Sequence, residues 1–137
     1  MTPLDIDIST DPARLDVDLI HAYLTTSYWA QGRSRETVER SIQHSLCFGA
    51  YQGGRQVGFG RVITDFAVFA YLADIFVVPE FEGRGIGKAI VRAMTADPRL
   101  QGLPLMLLRT RDAHGLYRQF GFDTLPRPEE MMARRSG

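Results

Sequence analysis

The chain has 137 residues, 45% hydrophobic and 23% charged, which suits one globular domain over residues 1–137 with a single apolar core. Sixteen basic residues balance sixteen acidic ones, so the basic surplus of a nucleic-acid or anionic-membrane binder is absent. The single Cys47 excludes an internal disulfide, and His21, His44 and His114 show no ligand spacing, so no metal is expected. No apolar run is long enough to span a bilayer and no basic-then-apolar signal pattern opens the chain, so a cytoplasmic location is expected.

Leu4, Ile6 and Ile8 alternate with polar residues, the pattern of a half-buried first strand. Leu15, Leu19, Ile20, Tyr23 and Leu24 recur at helical spacing and predict a first helix. Ser34 reads as an N-cap for a second helix whose inner face holds Val38 and Ile42. Cys47–Gln52 and Val57–Thr64 are strands joined by the two-residue turn Gly53-Gly54. A second reversal falls near Asp65–Ala67. Phe69–Val78 is the longest strand and runs into a glycine-rich turn. Ile86, Ile90, Val91 and Met94 line one face of the next helix, which Asp97-Pro98 ends. Leu105–Leu108 reads as a buried strand, and Ala113–Phe120 as a helix stopped by Gly121. Phe122 opens a further strand, and Glu129–Arg134 is a candidate last strand beyond Pro126 and Pro128.

The turn after the longest strand carries the strongest chemical signal. Strand, turn and helix aim unpaired backbone N–H groups and a positive helix end at one point, which suits phosphate. Gly83, Gly85 and Gly87 would let a ligand approach the backbone, and Arg84 and Lys88 add positive charge. The alternative is a tight turn that binds nothing. A Walker A loop is excluded, because Gly87-Lys88 is followed by Ala89 rather than a hydroxyl residue. A dinucleotide fingerprint fails because Lys88 stands where its third glycine belongs.

The turn resembles motif A of the GCN5-related N-acetyltransferases, Arg/Gln-x-x-Gly-x-Gly/Ala. Gly85 and Gly87 match its last two fixed positions, and Glu82 departs from its first. Ala113-His114-Gly115-Leu116-Tyr117-Arg118-Gln119-Phe120-Gly121-Phe122 resembles the motif B run Ala-x-x-Leu-Tyr-x-x-x-Gly-Phe, with Thr110 where the family often has Asn. The likeness covers roughly residues 46–122. It implies an α+β domain with a mixed central sheet, helices on both faces, and parallel fourth and fifth strands that splay apart around the pantetheine arm of acyl-CoA. It implies acetyl-CoA as the donor, with CoA as product. The donor would be held by Phe76, Val77 and Val78, by Glu82, Gly83, Arg84, Gly85, Ile86, Gly87 and Lys88, and by Thr110, Ala113, Leu116, Tyr117 and Phe120. The reaction implied is direct attack by an amine of a small molecule or peptide in a ternary complex. A homodimer is compatible with the family.

Tyr117 matches the family tyrosine that can protonate the departing sulfur; the alternative is an amphipathic core tyrosine. Asp74 lies in the apolar run Tyr71–Val78, where a carboxylate is costly unless paired or employed. By resemblance it is a proton acceptor; it reads equally as a structural acid. Asp65 is a second candidate acceptor or substrate contact, or else a plain turn residue. Tyr28 and Trp29 fall between the first two helices, where the family closes over its acceptor, and would wall the pocket or pack the loop. Arg33 and Arg35 default to solvated surface; either one entering the pocket would make an acceptor with a carboxylate plausible. Cys47 reads as core, since no base accompanies it. Two other functions compete: a non-catalytic acyl-CoA-binding or regulatory domain on the same fold, and an unrelated phosphate binder built on the turn alone.

Overall fold

The computed structural model describes residues 5–136, so Leu4 lies outside the described residues. Strand β1 (Ile6–Ser9) leads through a 3-10 turn at Pro12–Arg14 into helix α1 (Val17–Thr26), capped by the Asp16 side chain on the Leu19 N–H. Helix α2 (Arg35–Gln43) begins at Ser34, whose hydroxyl accepts the Thr37 N–H at 3.2 Å. That bond occupies one of the orphan donors of the first turn. Strands β2 (Leu46–Gln52), β3 (Arg55–Thr64) and β4 (Phe69–Val77) form a meander. Gly53, at φ +58°, makes the first reversal. Helix α3 (Ile86–Ala96), strand β5 (Leu105–Leu108) and the short helix α4 (His114–Arg118) complete the order.

The sheet runs β1-β2-β3-β4-β5, antiparallel except for the parallel β4–β5 pair. Its two faces are covered differently. On one, Tyr23 of α1 stacks on Phe76 of β4, with ring centroids 4.1 Å apart and planes 7° from parallel, and Phe59 packs against the same Phe76. On the other, α3 lies close against β3 at two glycines. A Cβ at Gly58 would stand 2.9 Å from Ile90 Cδ1, and one at Gly60 would collide with Met94 Cε. The missing side chains are what let α3 bury Ile86, Ile90, Val91 and Met94 against the sheet. Burying an aliphatic side chain of that size contributes about 1.5–3 kcal/mol. The tight seat fixes where the N-terminus of α3 points.

Two expectations at the C-terminal side are corrected. The last helix is shorter than Ala113–Phe120: the N–H groups of Phe120 and Gly121 turn back to the carbonyls of Tyr117 and Arg118, and Gly121 adopts φ +91°. No strand follows it among the described residues, neither at Phe122 nor over Glu129–Arg134. Pro126 and Pro128 cannot donate to a ladder, and Pro128 instead opens a 3-10 turn, Pro128–Glu130.

Candidate active site

Strands β4 and β5 pair only from Phe69↔Leu105 to Leu72↔Leu108. Beyond Leu72 the edge of β4 that faces β5 has no strand partner, so its backbone groups stay available to an extended ligand. A cavity of about 1140 Å³ opens there, bounded by Tyr71–Ile75 of β4, by the loop from Arg109 to Ala113, by Tyr117, and by Tyr28 and Trp29 from the segment after α1.

The parting coincides with a bulge. Phe59 pairs with Phe76 and Arg61 with Ala73, so Asp74 and Ile75 together oppose Gly60. Asp74 sits at φ +56°, a left-handed conformation that costs a non-glycine residue roughly 1–2 kcal/mol. Three donors hold it there. Trp29 Nε1 donates to Oδ1 at 2.9 Å, while Arg33 Nη1 and Arg61 Nε donate to Oδ2 at 2.8 and 2.9 Å. The carboxylate is 2% exposed, and Arg61 is braced in turn on Ser45 Oγ at 3.1 Å. Asp74 is thus a buried acid whose two oxygens are bonded to two guanidinium groups and an indole.

Tyr117 reaches the cavity from α4. Burial, with Tyr28 and Asp112 nearby, raises its phenol pKa above the usual tyrosine value. The raised value keeps the proton on the oxygen, as a donor requires. Thr110 anchors the turn before α4: its hydroxyl accepts the Ala113 N–H at 3.0 Å. Tyr117 packs edge-on against Phe122, with centroids 6.0 Å apart.

At the far end of β4 the chain makes a 3-10 turn, Pro79–Phe81, and enters α3 through Gly83 (φ +75°) and Gly85 (φ +80°). The first helical bond runs from Ala89 N–H to the Gly85 carbonyl at 3.0 Å. The N–H groups of Ile86, Gly87 and Lys88 therefore precede the intrahelical ladder. No side chain caps them and no acidic residue sits in the first turn, so the positive helix end is uncompensated. A Cβ on Gly83 or Gly85 would meet nothing within 4 Å, and one on Gly87 only Val77 Cγ2 at 3.8 Å. The space beside these glycines is an open cradle that side chains would fill. Arg84 is exposed and lies over the Phe81 ring at 5.1 Å. Glu82 is exposed, and its charge helps raise the Tyr23 phenol pKa after burial.

Several candidate residues stand elsewhere or act otherwise than expected. Asp65 is exposed, and its Oδ1 accepts the N–H groups of Ala67, Val68 and Phe69, which lowers its pKa. It does not line the cavity, and Phe69, which it bonds, stands five residue steps along β4 from Asp74, roughly 17 Å. It is a turn residue, and the expectation of a substrate contact is corrected. Arg35 is committed to Asp18 and Glu39 on the surface. The Phe76 side chain is spent on Tyr23, so only its backbone faces the open edge. The Cys47 thiol is pushed up to about 11 by burial, as befits a core residue. Sequence reasoning missed Arg61, Arg109 and Arg111. Arg61 did carry a signal, a charge within an apolar strand that pairs in a hairpin with the strand of Asp74.

The family model for the acetyltransferase (GNAT) domain matches residues 43–124. The chain belongs to the GNAT family and is an acetyltransferase. A crystal structure of a GNAT-family protein from Xanthomonas campestris pv. campestris superimposes with a TM-score of 0.96 at 47% identity, covering 98% of this chain and 96% of that one. A Gibberella zeae protein named "Putative acetyltransferase" is 33% identical over 134 residues, 80% of this chain and 75% of its own length. The chloroplastic serotonin N-acetyltransferase 2 of Oryza sativa subsp. japonica is 30% identical over 96 residues, 66% of this chain and 48% of that protein.

Proposed function

We propose that this chain moves an acetyl group from acetyl-CoA to a primary amine of a small molecule or peptide, in a ternary complex. The observation that carries this reading is the parting of β4 from β5 at Leu72 and Leu108. It leaves an extended edge in the same cavity as the protonated phenol of Tyr117. The name of the rice relative supports an amine acceptor.

The residues present fit the donor. The free N–H groups of Ile86, Gly87 and Lys88, beside glycines that leave open space, suit its diphosphate. The unpaired β4 edge from Ala73 to Val77 suits its amide-bearing arm. When bound, acetyl-CoA supplies a thioester: its C–S bond breaks as the acceptor nitrogen bonds the acetyl carbon, and of the two protons an ammonium acceptor loses, one balances the sulfur and one enters solvent. Tyr117 holds the proton that goes to sulfur and regains one from solvent. Tyr28 and Trp29 wall the acceptor side and exclude water. Asp74 keeps Arg33, Arg61 and Trp29 in place, and water takes the amine proton.

Acetyl-CoA and CoA should each raise the melting temperature; at a hundred times its dissociation constant a ligand contributes roughly 2.7 kcal/mol. Thiol release with an amine panel should follow. A shift with ATP alone, and no thiol release with any amine, overturns the reading.

A further inference from the structure

We propose that the acceptor amine carries an oxyanion, a carboxylate or a phosphate, which the arginines of the acceptor cavity hold. This deepens the acetyltransferase reading and rests on it. The cavity is walled by Arg33, Arg61, Arg109, Arg111 and Arg135 against only Asp74 and Asp112, a formal excess of three positive charges. Asp74 does not supply an anionic site for an ammonium group. Its oxygens are taken by Arg33, Arg61 and the Trp29 indole, and it is 2% exposed.

The arginines, by contrast, keep donors to spare. Arg33 commits Nη1 to Asp74 and has no other recorded acceptor among the described residues; its side chain is 22% exposed. Arg61, 12% exposed, commits Nε to Asp74 and Nη1 to Ser45, leaving Nη2. Arg111 lies over the Tyr28 ring, its guanidinium carbon 3.8 Å from the centroid, with no acidic partner among the described residues. A guanidinium is a planar fork of five donors matched to carboxylate and phosphate oxygens. Partly buried, the positive charges act through little water and strengthen one another's pull on an anion. They also disfavour the charged form of a nearby ammonium, which promotes the neutral amine that attacks the thioester. One array of arginines thus both recognises the acceptor and readies its nitrogen.

The test uses matched amines that differ only in the anion: β-alanine against ethylamine, 2-aminobutyrate against propylamine, lysine against cadaverine, and phosphoethanolamine against ethanolamine. Turnover is followed by thiol release, and binding by calorimetry with CoA present. The anionic member of at least one pair should show kcat/KM at least tenfold higher; the amino-acid and phosphate arms tell the two oxyanions apart. Arg111→Ala, exposed and free of ion pairs, should raise KM for that acceptor at least fivefold and leave KM for acetyl-CoA unchanged. Arg33→Gln should do the same, and Arg35→Ala, outside the cavity, should do neither. Preference for the member without the anion in every pair overturns the proposal. So does an acetyl-CoA-binding protein that neither binds nor acetylates any anionic amine. Absence of both a melting shift with acetyl-CoA and thiol release with any amine would strike the acetyltransferase reading instead. Calorimetry of the anionic amines alone then decides the arginine site: binding lost in Arg111→Ala sustains it, and no binding overturns it.

Discussion

Two glycines two residues apart should respond to alanine with opposite signs. Gly87 lies in the first turn of α3, outside the left-handed region, and its added Cβ would make one ordinary contact, 3.8 Å from Val77 Cγ2. A helical glycine is less stable than alanine by about 0.5–1 kcal/mol, because the unfolded chain loses less freedom with alanine. Gly87→Ala should therefore stabilise the ligand-free protein by that amount, raising its melting temperature by roughly 2–5 °C for a chain of this size. Gly85 is held at φ +80° with nothing within 4 Å of its Cβ position. Gly85→Ala meets no clash and pays only the backbone strain, about 1–2 kcal/mol, so its melting temperature should fall. The methyl group at Gly85 stands in the open cradle beside the free N–H groups, and Gly85→Ala should bind CoA at least tenfold more weakly, about 1.4 kcal/mol, whereas Gly87→Ala, the residue motif A also takes at that position, should bind CoA nearly as the wild type does. Thermal unfolding of the free proteins and calorimetry with CoA measure the two effects separately. A Gly85→Ala variant that binds CoA with wild-type affinity would show that the turn is only structural. A destabilised Gly87→Ala would refute the account of the helix start.

Tyr117→Phe should lower kcat about 10²-fold or more with CoA affinity nearly unchanged, since only a phenolic proton is lost. Because burial raises the Tyr117 pKa, the acid form persists above the ordinary tyrosine range, and a pH–rate profile should show no alkaline fall from Tyr117 below pH ~10. Asp74→Asn leaves two guanidinium groups facing each other without their carboxylate; denaturant unfolding should show a loss of about 3–5 kcal/mol, and a variant of native stability would refute the account of the bulge. The Cys47 thiol, with its pKa near 11, should resist iodoacetamide at pH 8 in the native protein and react once unfolded; ready alkylation of the folded chain would contradict its burial.

Local patterns were legible where the chemistry is local. The apolar spacing of Ile86, Ile90, Val91 and Met94 drew α3, and Ser34 marked the start of α2, because helix periodicity and capping act within a turn or two of chain. Gly83 and Gly85 marked the cradle because only glycine takes positive φ at small cost. The run from Ala113 to Phe122 singled out Tyr117. Where a contact joins distant segments, the residues were visible but their partners were not. Asp74 stood out as an acid in an apolar strand, yet Trp29 and Arg33 arrive from the segment between α1 and α2, and Arg61 from the preceding strand, β3. The same three bonds tie Asp74 to the indole and the two guanidinium groups that wall the cavity.

The sequence by itself determined the family, the order of the elements up to α4, the glycine cradle and the placing of Tyr117 after a strand, since each depends on residues close together in the chain. Only the tertiary structure decided the bulge at Asp74, the close seat of α3 on Gly58 and Gly60, and the confinement of Asp65 to its turn. It also decided the sign of charge around the acceptor. Sheet register and side-chain ion pairing are set by which strands and loops meet in space, and a two-against-one pairing opposite Gly60 leaves no periodic trace in the chain.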